Sequence, residues 1–310
     1  MPFDPTTRLT AETLSKLPPL PADGAWGTEL LKLGGRAGEL RDLWNLTAPE
    51  KVLQVARSYV EAGAKIILTN TFSANRIVLA AHGVAADPAA VSRAGAEISK
   101  QAARGSAYVF GSIGPTGKMV SLGELAAEAA EDAFAEQAAA LEAGGADAIV
   151  VETQADLEEA RAALRGCRRA AKVPVGVTFT FDSGKDRTRT MMGATVKEAY
   201  DLAVAEGAAF VGANCGVPLD AYVPVARLFR EAGGKLPIWI KGNAGRPELA
   251  PDGTPVYRAT PESFAAAVRP LLEAGARFIG GCCGSTPEHV RTLAEAIESA
   301  GSRPSGALSA

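Results

Sequence analysis

The sequence predicts a single closed (β/α)8 (TIM) barrel of the α/β class, and three observations carry that expectation. Eight short apolar or β-branched runs recur along the chain, beginning about 27–45 residues apart, and each is followed by an Ala-rich amphipathic stretch. Most of these runs are unbroken rather than alternating, the pattern of strands buried on both faces. The units are evenly spread with no break between them, which favours a closed barrel over an open doubly wound sheet sharing the same alternation.

Strands are expected at Leu20–Ala25, Lys65–Thr71, Ala107–Ser112, Ala146–Glu152, Val173–Phe179, Ala208–Asn214, Leu236–Lys241 and Ala276–Gly281. Helix starts are signalled by Asp87–Pro88, Thr260–Pro261 and Thr286–Pro287, where an N-cap side chain precedes a Pro whose fixed φ suits the first turn. Capping-box spacing occurs from Thr47 to Glu50, Ser121 to Glu124 and Ser285 to Glu288. Between Leu125 and Leu141, residues Ala126, Ala130, Ala133, Phe134 and Leu141 share one helical face. Ala62–Gly63, Ala143–Gly144, Glu206–Gly207 and Ala274–Gly275 read as helix ends, with Gly in the left-handed cap. Residues 1–19 read as an extension over the barrel's bottom, 20–300 as the barrel and 301–310 as a flexible tail.

Composition narrows the function. The 310 residues are 47% hydrophobic and 22% charged, enough for a sizeable core. Thirty-two Lys and Arg against 35 Asp and Glu leave a net charge of −3, which argues against nucleic acid or an anionic membrane as a partner. Four Cys are too sparse for a disulfide framework. The opening MPFDPTTRLT lacks the pattern of a secretory signal, and no uncharged apolar run reaches the ~18 residues of a membrane span, so a cytoplasmic location is expected.

In a barrel of this kind chemistry sits at the C-terminal strand ends, because the βα loops converge on one mouth. Those ends carry Asp23-Gly24-Ala25-Trp26-Gly27-Thr28, Thr69-Asn70-Thr71-Phe72, the stretch GSIGPTG from Gly111, Glu152-Thr153-Gln154, Asn214-Cys215-Gly216, Lys241-Gly242-Asn243 and Gly281-Cys282-Cys283-Gly284. Cys215, Cys282 and Cys283 therefore fall at the ends of strands six and eight, on one rim. Three thiolates suit zinc with a fourth position open for chemistry, while buried Cys is also an ordinary small apolar residue. Cys167, inside the helix after strand four, reads as structural.

The set DGAWGTEL, TNTFSANR, GSIGPTG, ETQADLEEA, GANCG and GGCCGSTPEH resembles the homocysteine S-methyltransferase family, from about Leu20 to Ile297. Its most specific part is GANCG followed about 65 residues later by GGCCG. The resemblance implies that Cys215, Cys282 and Cys283 hold Zn2+, that the homocysteine sulfur joins them as a ligand, and that direct methyl transfer gives methionine. It assigns Asp23 and Glu152 to the substrate ammonium. Gly24, Gly27 and Thr28 offer backbone N–H groups to the carboxylate, and Asn214 orients the site beside Cys215.

Other residues take plainer readings. His82 and His289 read as surface or helix-start residues, and GSIGPTG, lacking the Lys-Ser/Thr ending of a phosphate loop, reads as a tight turn. Trp26 and Trp44 suit either the mouth or the core. Gly245–Ala259 is long and Pro-rich, as a lid over the donor side would be. Ser73-Ala74-Asn75 supplies no aromatic cage for betaine, and Lys241 is a candidate for an anionic donor group. The donor is a small molecule or a separate methyl-corrinoid protein, since no folate or cobalamin module is expected after the barrel. The sequence leaves the oligomeric state open, a homo-oligomer included. Alternatives are another thiol acceptor (selenohomocysteine or an alkanethiol), a Schiff-base aldolase using Lys241, or a non-catalytic zinc or thiol sensor.

Overall fold

The computed structural model describes residues 3–36, 38–250 and 255–301. The tail residues 302–310, and 251–254 within the expected lid, lie outside the described residues. Eight parallel strands form one sheet: β1 (Leu20–Pro21), β2 (Ile66–Leu68), β3 (Tyr108–Ile113), β4 (Ala148–Gln154), β5 (Val175–Phe179), β6 (Val211–Pro218), β7 (Ile238–Asn243) and β8 (Ala276–Gly281). β1 pairs with β8, and a parallel bridge between Ala22 and Ile66 brings β1 against β2, closing the barrel. The open doubly wound alternative is thereby excluded. Each predicted strand is present. The largest displacement is at β6, which runs past Asn214 to Pro218.

Barrel interiors fill in layers because alternate residues of each strand point inward. Phe110, Phe210, Trp239 and Phe278 pack there, with Phe110–Trp239 and Phe210–Trp239 ring centroids 5.7 and 5.6 Å apart. Gly212 is required beside them, since a Cβ would sit 1.8 Å from the Trp239 carbonyl oxygen. Below this layer, residues 3–19 pack across the strand beginnings. Leu9, Leu14 and Leu17 are buried in the same cluster, Tyr108 Oη donates to Asp4 O (2.6 Å), and Arg277 donates to Leu17 O (2.7 Å). The aromatic layer leaves the strand tips above it as the place for polar side chains.

Helices surround the strands, as at Pro88–Ala103, Ala127–Ala143 and Leu157–Ala170. Asp87 caps its helix through Ala89 N–H with Pro88 in the first turn, as predicted. Thr260 stands at its N-cap position, but its side chain makes no cap bond. The three capping boxes read from sequence do not form. Thr47 ends a short helix and donates to Leu43 O, Ser121 N–H goes to Asp156, and Ser285 Oγ donates to Cys282 O. Among the described residues, boxes form at Thr195 with Glu198 and at Thr10 with Thr13. Ala130, Ala133, Phe134 and Leu141 are buried as expected, whereas Ala126 is an exposed N-cap. Gly63, Gly207 and Gly275 are left-handed, but after Ala143 the left-handed residue is Gly145 rather than Gly144. Cys167 is fully buried in the helical layer, its Sγ 3.8 Å from Phe134 O. No helix among the described residues is long and apolar enough to cross a membrane.

Candidate functional site

Two residues beyond the aromatic layer, the period of a strand brings a polar layer inward: Ser112 after Phe110, Glu152 after Val150, Asn214 after Gly212 and Lys241 after Trp239. Ser112, Glu152, Asn214 and Lys241 line a cavity of about 510 Å³ at the C-terminal mouth. A volume of that order suits a whole small-molecule site (~300–1,000 Å³).

The three rim cysteines meet in this cavity. One ligand atom from each of Cys215, Cys282 and Cys283 lies within 4.8 Å of the others, and Cys215 Sγ is 3.8 Å from Cys283 Sγ. Cys282 is bonded through its N–H to Gly242 O (2.7 Å), so the β7 and β8 ends hold the pair in register. Three crowded thiols cannot all ionise without a cation. S–H donation from Cys215 and Cys282 holds Cys283 below the usual thiol range, while donating to Cys215 and Cys283 pushes Cys282 well above it. A soft divalent ion fits this donor set because it takes up the charge the cluster cannot carry alone.

Glu152 lines the cavity and is nearly buried. Ser112 Oγ donates to its Oε1, and Asn214 Nδ2 donates to its Oε2 (3.3 Å). Burial raises its pKa against the opposing pull of Lys241 and the Ser112 bond. Asp23 is fully buried and already holds three donors: Lys241 Nζ (2.5 Å), Trp26 Nε1 (2.7 Å) and Leu68 N–H (2.7 Å). Lys241 is thus committed to Asp23. Burial alone would depress its pKa, but Asp23 and Glu152 outweigh this and raise it, so it stays an ammonium ion. That disfavours the Schiff-base reading, which needs a neutral amine.

Gly24, Gly27 and Thr28 also line the cavity, and Thr28 Oγ1 is buried without a partner. Gly24 is small because a Cβ would lie 2.7–2.9 Å from Tyr59 and Ser285. Trp26 reaches the cavity, while Trp44 is buried beneath Glu39, to which it donates (2.8 Å). Phe72 and Ser73 line the outer wall with Pro255 and Tyr257 of the 245–259 segment. Trp26, Phe72 and Tyr257 therefore bring aromatic side chains to the cavity lining from separate segments, which inspection of Ser73-Ala74-Asn75 alone misses. His82 is exposed. His289 is buried at its helix start, bridging Thr286 and Ala259 O (2.9 Å). Neither histidine lines the cavity.

Sequence reasoning missed Thr178 and Tyr222 and gave Thr153, though at a strand end, no role. Asn214 Oδ1 accepts from Thr153 N–H (2.8 Å) and Thr178 Oγ1 (2.6 Å), and Tyr222 Oη donates to Cys215 O (2.5 Å). Thr178 lies within the fully buried β5, two residues after Gly176 by strand period. Tyr222 leaves no spacing signal at all.

Comparison with known proteins agrees with this geometry. The homocysteine S-methyltransferase family matches residues 20–297. Methionine synthase of Mycobacterium tuberculosis is 34% identical over 295 residues, covering 89% of this chain and 24% of that protein; the Mycobacterium leprae enzyme is 32% identical with the same coverage. The chain therefore spans about a quarter of the length of these curated relatives. Among solved structures, the metallated homocysteine methyltransferase MmuM of Escherichia coli superposes with a TM-score of 0.75 at 24% identity, covering 92% of this chain and 98% of that one. A methyltransferase from Methanosarcina mazei gives 0.62 at 12% identity, covering 97% and 100%. At these identities the structural likeness establishes the fold.

Proposed function

Because the chain belongs to the homocysteine S-methyltransferase family, we propose that it is a zinc-dependent enzyme transferring a methyl group to homocysteine sulfur to give methionine. The observation that carries this reading is the meeting of Cys215, Cys282 and Cys283 in a cavity sized for small molecules. Those three residues would hold zinc. A free thiol with a pKa of ~8.5 is mostly protonated at neutral pH, and a bound zinc ion would favour its ionised, nucleophilic form.

The chain's own residues would bind and orient the amino acid. Glu152 offers its carboxylate to the ammonium, and Asn214 with Ser112 fixes the carboxylate plane. The N–H groups near Gly24, Gly27 and Thr28, with the unpartnered Thr28 hydroxyl, suit the substrate carboxylate. Asp23 contributes through Lys241, whose charge offsets the carboxylates and thiolates crowded at the strand ends. The aromatic faces of Trp26, Phe72 and Tyr257 suit a cationic methyl donor. A cytoplasmic location accords with the absence of any membrane-crossing helix among the described residues.

The test is incubation of zinc-loaded protein with homocysteine and a panel of S-methylmethionine, betaine, S-adenosylmethionine, and methylcobalamin with and without a carrier protein. Methionine formed from one donor supports the reading. Turnover retained by metal-free protein refutes it.

A further inference from the structure

Two residues at the strand ends occupy a backbone conformation that L-residues avoid. Thr153 on β4 has φ +64° and Cys215 on β6 has φ +65°, and Gly216 continues the left-handed turn at +66°. For a β-branched residue such as Thr this is a genuine outlier, and such strain persists only where the surroundings enforce it. Both positions coincide with a break in strand register, Val151 to Gln154 against β5 and Asn214 to Pro218 against β7.

The break at Cys215 has a definite effect. Strand alternation sends Asn214 inward and would send the next side chain outward, among the helices. The left-handed turn re-aims Cys215, so that it lines the same cavity as Asn214. Tyr222, fully buried, holds this turn from behind: its hydroxyl donates to Cys215 O at 2.5 Å and lies 3.0 Å from Asn214 O. The Asn214 side chain holds the other break, through Thr153 N–H (2.8 Å) and Thr153 Oγ1 (2.7 Å), and reaches Glu152.

We propose that Tyr222 is a positioning residue for the metal centre: its hydroxyl locks the Cys215 peptide in the left-handed turn that brings Cys215 Sγ to Cys282 and Cys283. This rests on the reading that the three cysteines bind zinc. Tyr222 is not among the residues lining the cavity. It acts through the backbone of one ligand, and Asn214 ties that ligand's turn to the carboxylate at Glu152.

The experiment is a zinc titration of the metal-free chain against a chromophoric chelator, with cobalt loading to record thiolate charge-transfer absorption. Tyr222→Phe is expected to weaken zinc binding ~10–100-fold, the usual effect of removing a group that orients a ligand, and to shift the cobalt spectrum. Tyr200→Phe is the control, since it deletes another buried tyrosine hydroxyl, one that accepts from Lys235 N–H (3.1 Å). It is expected to leave affinity and spectrum unchanged at a comparable loss of thermal stability. Gly216→Ala perturbs the same turn without altering Tyr222, because its Cβ would meet Thr180 Cγ2 at 2.6 Å, and it too is expected to weaken zinc binding. Wild-type affinity and spectrum in Tyr222→Phe overturn the role of Tyr222; should that variant not fold, wild-type affinity and spectrum in Gly216→Ala show that the turn does not set the metal site and overturn the proposal with it. A wild-type chain that binds no zinc overturns the metal centre and this role with it.

Discussion

Lys241 Nζ and Asp23 Oδ1 lie 2.5 Å apart with 3% and 0% of their side chains exposed, a complete ion pair inside the barrel. Removing one partner strands the other charge without water, which costs ~3–5 kcal/mol. Lys241→Met is therefore expected to lower stability by about that amount in urea unfolding. Adding Asp23→Asn should recover part of the loss, because the two changes act on one interaction. Strict additivity in this double-mutant cycle would show that the pair is not coupled.

Of the two carboxylates expected to meet the ammonium, Glu152 is the one that lines the cavity, while Asp23 is engaged by Lys241. Glu152→Gln keeps the shape and the Ser112 and Asn214 neighbours while removing the charge. A hydrogen bond to a charged group is worth ~1.5–3 kcal/mol. Calorimetry on zinc-loaded protein should thus show homocysteine binding weakened ~10–100-fold, with zinc content unchanged. Unaltered affinity would move the ammonium site elsewhere.

The four cysteines divide by position. Cys215→Ser, Cys282→Ser and Cys283→Ser are each expected to abolish stoichiometric zinc and methionine formation. Cys167→Ala should retain both, because that sulfur lies in the helical layer against Phe134. Its cost is one of packing, about 1–2 kcal/mol. Metal analysis by mass spectrometry separates the two groups.

Asp42 is buried at the cavity rim, and burial pushes its carboxyl up to about 6, against a bond from Ser73 N–H and the charge of Arg41. Unfolded, the group ionises near 3.8. Below that value it is protonated in both states and indifferent. As pH rises from about 4 to 6 the unfolded chain gives up its proton more readily, and the fold loses stability, approaching ~3 kcal/mol at neutral pH. Asp42→Asn retains the Ser73 bond and removes the titration. The stability of the variant relative to wild type should rise between pH 4 and 7; a pH-independent difference would mean that Asp42 is normally ionised in the fold.

Much of this was legible in the residues. Unbroken apolar runs ending in Asp23, Glu152, Asn214 and Gly281-Cys282-Cys283 located both the strands and the mouth, because parallel strands buried on both faces leave polar side chains only at their tips. The capping boxes failed because Ser121 and Ser285 had nearer tertiary or turn partners than the helix ends their spacing suggested. The commitment of Asp23 to Lys241 was not legible: it joins the first and seventh strands and depends on barrel closure. Nor was the left-handed turn at Cys215, which Tyr222 holds from a segment carrying no motif.

X-ray absorption at the zinc edge of the loaded protein, before and after L-homocysteine, tests the central claim most directly. Three sulfur ligands are expected in the free protein and a fourth once homocysteine is added, with Cys215→Ser unable to form the complete set. A shell with fewer than three sulfurs, or one that homocysteine leaves unchanged, would contradict it.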